Sequence, residues 1–184
     1  MTDKALLLYW LAACSGPLLA AGAAQAQQAA PAQRPNILFI LTDDQRWDAV
    51  GYVNPIVRTP HIDSLAREGV CFRNAFVTTP ISAASRASLL TGMYERTHGY
   101  TFRQGPLKEQ QSYPVLLRAS GYTTAYFGKF GVTYPGAQRL FDAADLYDRR
   151  GKFPDRRGYF YKTIDGDTVH LTRYTGYEAQ RFLR

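Results

Sequence analysis

Asn36-Ile37-Leu38-Phe39-Ile40-Leu41, preceded by Pro35 and followed by Thr42-Asp43-Asp44, is the stretch on which the reading of the fold turns. An uninterrupted apolar run of strand length, bounded by polar turn residues, suits a central strand buried on both faces. Working outward, Ile62–Glu68 carries apolar residues three and four apart and meets Gly69, which predicts a short amphipathic helix with a glycine C-cap. Cys71–Val77 is predicted as a strand. Ser82–Leu90 follows Thr79-Pro80 and stops at Gly92, and Tyr113–Ala119 stops before Gly121, so both are predicted helices. Thr123–Phe127 reads as a strand, and Tyr174–Leu183 as the start of a helix. Strand and helix patterns alternate, which predicts an α/β fold with a mostly parallel central sheet flanked by helices. No internal repeat is visible.

The segment before this run reads differently. Met1-Thr2-Asp3-Lys4 precedes an apolar stretch from Ala5 to Ala13, and small residues continue to Ala24-Gln25-Ala26. A short charged start, an apolar stretch and an Ala-x-Ala site describe a secretory signal peptide over residues 1–26. Gly16 and Pro17 interrupt the apolar run, which argues against a membrane-spanning helix of about 20 residues. Export to the periplasm or the extracellular space is therefore expected. Leu11-Ala12-Ala13-Cys14 also resembles a bacterial lipobox, so a lipid anchor on Cys14 is the alternative. Residues 27–34, rich in Ala, Gln and Pro, read as a flexible leader, leaving 35–184 as the folded part.

Composition sets further bounds. The 184 residues allow a sizeable core, and 46% hydrophobic residues speak against wholesale disorder. The formal net charge is +7. Arg149, Arg150, Lys152, Arg156 and Arg157 are interspersed with Asp, Gly and aromatic residues, forming neither an unbroken basic run nor a nucleic-acid motif. If Cys14 leaves with the signal peptide, Cys71 has no partner for an intrachain disulfide. Within Val70-Cys71-Phe72 it reads as a buried strand cysteine.

Three sets of residues carry chemistry. Asp43 and Asp44 stand at the carboxyl end of the first predicted strand, where ligands collect in open α/β sheets. Adjacent carboxylates repel unless a cation lies between them, and hard oxygen donors favour calcium or magnesium; a solvated turn is the other reading. Consecutive strand side chains point to opposite faces, so both reach one ion only if the strand ends at Asp43. Ser82 and Arg86 share a helix face at a spacing of four, with Ser82 in the first turn, where N–H groups and the helix dipole attract an anion. A guanidinium there suits a tetrahedral oxyanion, while an N-capping Ser82 with a surface Arg86 is the plainer alternative. Lys129, in Phe127-Gly128-Lys129-Phe130-Gly131, lies just past a predicted strand and can meet an anion as a point charge. His61 and His98 are predicted loop histidines with surface or supporting roles, and His170 is predicted to be structural. Tyr94, Tyr100 and Phe102 either line a sugar or aryl site or simply pack.

Four ordered segments together resemble the sulfatase family of the alkaline-phosphatase-like superfamily. They are Arg34–Gln45, Thr59–Val70, Ser82–Gly92 and Gly121–Lys129, the third reading Ser-Ala-Ala-Ser-Arg-Ala-Ser-Leu-Leu-Thr-Gly. The resemblance implies a sulfuric ester hydrolase acting on a sulfated small molecule or glycan. Ser82 takes the position of the residue that a maturation enzyme oxidises to formylglycine, whose hydrated aldehyde attacks sulfur and approaches the metal. Asp43 and Asp44 match two carboxylate ligands of the calcium, with magnesium the alternative cation. Arg86 matches the arginine that steadies the formylglycine and metal site, and Lys129 the lysine that holds the sulfate. A phosphoesterase or phosphotransferase using Ser82 directly is the alternative within the superfamily, and a non-catalytic secreted fragment is the alternative outside it.

The sequence departs from the family pattern at several points. Ser82 replaces the commoner Cys, Ala84 stands where Pro is commoner, and Met93 where an Arg often follows Thr-Gly. Gly131 occupies a position where many members carry a histidine. The resemblance also implies that the chain corresponds to the front part of such an enzyme, with further metal ligands later. Two carboxylates against the roughly six to eight oxygens of a calcium site predict weak metal binding and little turnover by this chain alone.

Overall fold

The computed structural model describes residues 34–101, 105–147 and 160–184. Residues 1–26 and 27–33, Cys14, Phe102 and the basic residues at 149, 150, 152, 156 and 157 lie outside the described residues. The chain divides into two units, Met1–Val70 and Cys71–Arg184.

Among the described residues of the first unit, helix α1 spans Pro60–Glu68, with Pro60 in its opening position, where a missing N–H costs nothing. Its entry is held by side chains. The Thr59 hydroxyl donates to Asp63 Oδ1 at 2.8 Å, and Asp63 Oδ1 also accepts from the Tyr52 N–H at 2.8 Å. The Gly51 N–H donates to Thr59 Oγ1 at 2.7 Å. Gly51 is required there, since a β-carbon would fall 2.5 Å from Asp63 Oδ2 and 2.7 Å from the Val57 carbonyl.

The apolar run at 36–41 does not form the expected strand. It pairs with no strand among the described residues, and Ile37, Leu38, Phe39 and Ile40 are each more than half exposed. An apolar run reports what a segment tends to bury; a strand needs ladder partners as well, and residues distant in sequence supply those. Cys71–Val77 is likewise irregular, and Cys71 is exposed rather than buried in a strand.

The second unit supplies the α/β character. Helix α2 spans Ser82–Thr91 and ends at Gly92, whose φ of 66° lies in the left-handed region. Helix α3 spans Glu95–His98, and helix α4 Tyr113–Ala119. Strand β1, Ala125–Lys129, pairs in parallel with β2, Ala143–Tyr147, in register from Ala125↔Ala143 to Lys129↔Tyr147. The first strand thus starts two residues later than expected and has Lys129 as its last residue. Residues 130–142 form the crossover that parallel strands require.

Where the two strands begin, Thr124 donates to Asp142 Oδ2 from its N–H at 2.8 Å and from its hydroxyl at 2.9 Å. These two donations hold the Asp142 carboxyl below its ordinary pKa. Strands β3, Tyr161–Ile164, and β4, Asp167–His170, form an antiparallel hairpin. Its turn residues Asp165 and Gly166 have φ of 50° and 90°, the two positive values of a type I′ turn.

Helix α5, Leu171–Leu183, begins earlier than expected, and His170 Nδ1 caps it by accepting from the Thr172 N–H at 3.2 Å. It is tied to β2 by Tyr174, whose hydroxyl donates to Asp145 Oδ2 at 2.9 Å, and by a Tyr147–Thr175 hydroxyl contact. Burial first, and then the Asp145 bond, push the Tyr174 pKa up to about 12. No helix among the described residues is long and apolar enough to cross a membrane.

The core gathers Ala87 and Leu90 of α2 with Tyr100, Leu107, Phe130, Val132, Leu140 and Phe141. Leu140 is fully buried within it, whereas Leu116 on α4 is 53% exposed. We predict that Leu140→Ala lowers stability by about 2–5 kcal/mol, the range for a buried leucine replaced by alanine. Leu116→Ala is predicted to stay within about 1 kcal/mol. Urea unfolding midpoints of the two variants check this, and equal losses would contradict the assigned core.

Candidate functional site

The N-terminus of α2 is presented without a side-chain cap. Its N-cap residue is Ile81, in extended conformation, and the first turn holds no acidic residue. Ser82 is therefore the first helical residue rather than the N-cap, and it is exposed. A hydroxyl at this position lies beside the first-turn N–H groups and the positive end of the helix dipole, an environment that favours an anion.

Arg86 leaves the same helix one turn later but is not a surface residue: it is only 8% exposed. Its Nη1 donates to the Lys129 carbonyl at 2.7 Å and approaches the Tyr126 hydroxyl at 3.5 Å. The Tyr126 hydroxyl itself donates to the same Lys129 carbonyl at 2.7 Å. Burial raises the Tyr126 pKa, partly opposed by the Arg86 charge, so the hydroxyl keeps its proton and remains a donor at neutral pH. The Tyr126 ring is fixed by Phe130 and Phe141, at centroid separations of 5.6 and 5.1 Å.

Gly131 completes the arrangement. Its φ is 69°, and a β-carbon there would lie 2.7 Å from Arg86 Cδ and 3.1 Å from Nε. Gly131 thus leaves open the slot through which the arginine stem passes. The structure brings Arg86 and Lys129 together through a backbone carbonyl, with Ser82 at the start of the helix that carries Arg86. Spacing alone did not reveal Tyr126; a tyrosine within an apolar strand, whose hydroxyl must find a partner, was the available signal.

Asp43 and Asp44 belong to the first unit. The backbone bends at the pair, and Asp44 has a φ of 52°, so strand alternation does not force the two carboxylates apart. Their hard oxygen donors suit calcium or magnesium in kind, and are too few to complete a coordination shell. Among the described residues no group of three or more His, Cys, Asp or Glu side chains converges as a metal-holding cluster.

His98 was expected in a loop at the surface or in a supporting role; it is the last residue of α3 and 1% exposed. Its Nδ1 accepts from the Tyr100 N–H at 2.9 Å, and its Nε2 lies 2.9 Å from Ser88 Oγ on α2. A backbone N–H can only donate, so the neutral ring carries its proton on Nε2 and gives it to Ser88. Tyr100 is fully buried, and its hydroxyl accepts from the Thr133 N–H at 2.7 Å, which makes it a packing residue. Tyr94 is 69% exposed, and His61 is exposed on α1.

Comparison with known proteins bears on what this arrangement does. Residues 35–179 match the sequence model of the sulfatase family. An ulvan-active sulfatase from Formosa agariphila is 46% identical over 99 residues, covering 53% of this chain and 19% of its own length. An N-acetylglucosamine-6-O-sulfatase from Bacteroides thetaiotaomicron is 35% identical over 122 residues, covering 65% of this chain and 20% of its own length. In three dimensions, a phosphonate monoester hydrolase from Silicibacter pomeroyi aligns with a TM-score of 0.56 at 27% identity, covering 72% of this chain and 30% of that one. These curated relatives are thus matched over about a fifth of their length.

His98 yields a prediction about pH. Burial holds its pKa below 6.5, Lys108 adds to the depression and Glu95 opposes it. As pH falls the unfolded chain takes up this proton first, so the stability His98 contributes is complete above about pH 6.5 and is lost below it. Urea midpoints measured from about pH 8 to about pH 5 should fall in the wild type, and His98→Asn should flatten the part of that fall near pH 6. An unchanged slope in the variant would assign the acid sensitivity elsewhere.

Proposed function

The chain belongs to the sulfatase family, and on that premise we propose that it supplies the nucleophile-bearing part of a sulfuric ester hydrolase. The observation that carries the reading is the α2 N-terminus. Ser82 is exposed in its first turn, and one turn later Arg86 is buried against the carbonyl of Lys129.

In this reading a maturation enzyme removes two hydrogens from Ser82, passing the two electrons and two protons to its own electron acceptor, to give formylglycine, and hydration yields a geminal diol. One diol oxygen attacks the sulfur of the ester, the sulfur–oxygen bond to the organic group breaks, and the alcohol departs with a proton. The second diol hydroxyl then gives up its proton and re-forms the aldehyde, expelling sulfate. An ordinary serine hydroxyl is a weak nucleophile and lacks this way of releasing its product. Lys129 holds the sulfate as a point charge, and Arg86 steadies the helix turn that carries the nucleophile. Asp43 and Asp44 would contribute two carboxylates to a divalent cation, calcium or magnesium, and such a cation would supply Lewis-acid polarisation of ester oxygens.

The substrate class proposed is a sulfated carbohydrate. It draws on relatives whose names specify ulvan and N-acetylglucosamine 6-O-sulfate. Export is proposed from the N-terminal pattern of charged start, apolar stretch and Ala-x-Ala site. A second reading, hydrolysis of phosphate or phosphonate monoesters, is favoured by the likeness to the phosphonate monoester hydrolase.

The test uses the full-length protein produced with a serine-type maturation system. A peptide containing Ser82 should be lighter by two hydrogen atoms and should react with a carbonyl reagent. Sulfate should be released from a sulfated monosaccharide, and Ser82→Ala should abolish both signals. Asp43→Asn and Asp44→Asn should weaken calcium affinity by tenfold or more, on the order of 1.4 kcal/mol, in a calcium titration. Turnover of a phosphonate monoester with an unmodified Ser82 would establish the second reading instead.

A further inference from the structure

The Lys129 carbonyl, where β1 ends, receives two donors from different parts of the second unit. Tyr126 reaches it from three residues earlier on the same strand, and Arg86 from α2. A carbonyl oxygen has two lone pairs, so both acceptor positions are used. The Tyr126 ring is held against Phe130 and Phe141, so its hydroxyl is delivered by a rigid support. Immediately after the strand the chain turns through Gly131 at φ 69°, and a β-carbon there would collide with the Arg86 stem. A non-glycine residue would face both the left-handed backbone and that collision.

We propose that Tyr126 and Gly131 are positioning residues for the reaction. Gly131 keeps open the slot for the Arg86 stem. Tyr126 fixes the carbonyl on which Arg86 closes. Together they set where the end of β1, and with it the Lys129 ammonium, stands relative to the first turn of α2. The proposal rests on the reading of Lys129 as the sulfate-holding residue. Neither Tyr126 nor Gly131 touches the substrate in this account; both act through Arg86 and Lys129. Catalytic groups lose their effect on small displacements, which is why a hydroxyl remote from the reacting atoms matters.

Tyr126→Phe in the full-length protein is the direct test, because it removes the hydroxyl, preserves the ring packing and leaves Arg86 on the carbonyl. Affinity for inorganic sulfate should weaken by about tenfold, and kcat/KM should fall by a similar factor. In a Lys129→Met background the same substitution should produce no further loss in kcat/KM, since its effect passes through Lys129. A purely structural role would instead lower activity equally in both backgrounds, and that result would overturn the proposal. Gly131→Ala should weaken sulfate binding at least as much as Tyr126→Phe, and a Gly131→Ala protein that folds and binds sulfate normally would remove Gly131 from it.

A wild-type protein that binds sulfate without turning over any ester counts against the proposed function alone, and the sulfate titration then decides the positioning role. Equal sulfate affinity in the wild type and Tyr126→Phe, or no sulfate binding by either, overturns it.

Discussion

The carbonyl of Lys129 is the junction on which the second unit depends. It is the last acceptor of β1, and it gathers a guanidinium from α2 and a phenol from its own strand. A buried arginine needs such a partner, because its charge cannot be shed and desolvation without compensation is costly. Meeting that need fixes the helix against the strand end. The same constraint dictates glycine at 131, since the arginine stem occupies the space a side chain would fill.

The remainder of the unit is organised around the parallel pair. The Asp142 carboxylate collects the N–H and hydroxyl of Thr124 where the strands begin, and α5 reaches β2 through Tyr174 and Tyr147. Charge-assisted bonds to a backbone N–H are among the stronger ones available at a surface, and they place the strand starts in register. The His98–Ser88 contact does comparable work between α2 and α3, using a neutral imidazole as both acceptor and donor. Among the described residues no buried side-chain polar atom is left without a hydrogen-bond partner. The interior is thus specified by polar pairing as well as by apolar packing.

Much of the helix pattern was legible because its signals are local: Gly92 acts on the backbone of its own turn and α4 spans the expected residues, whereas α3 was read as loop and α5 starts three residues earlier than expected. The hairpin turn at Asp165-Gly166 had an equally local signal, an Asp-Gly pair between short strands, although only the strand-like pattern around His170 was read. The strands were harder. Residues 36–41 and 71–77 are apolar enough for strands, and in neither does a ladder form among the described residues. Of the candidate site, the helix position of Ser82 and the edge position of Lys129 were visible in spacing, while Tyr126 was not.

The sequence by itself determined the family pattern, the start of α2, the limits of α4 and the chemical types of Asp43, Asp44, Ser82, Arg86 and Lys129. These follow from the order of residues and from backbone preferences within a few positions. The tertiary structure alone decided that Arg86 turns inward to the Lys129 carbonyl, that His98 is buried and neutral, and that Gly131 is a slot rather than a missing side chain. Each of those outcomes depends on a partner that another element delivers. A long charged side chain or an imidazole is compatible with many environments until packing selects the one in which every donor and acceptor is met.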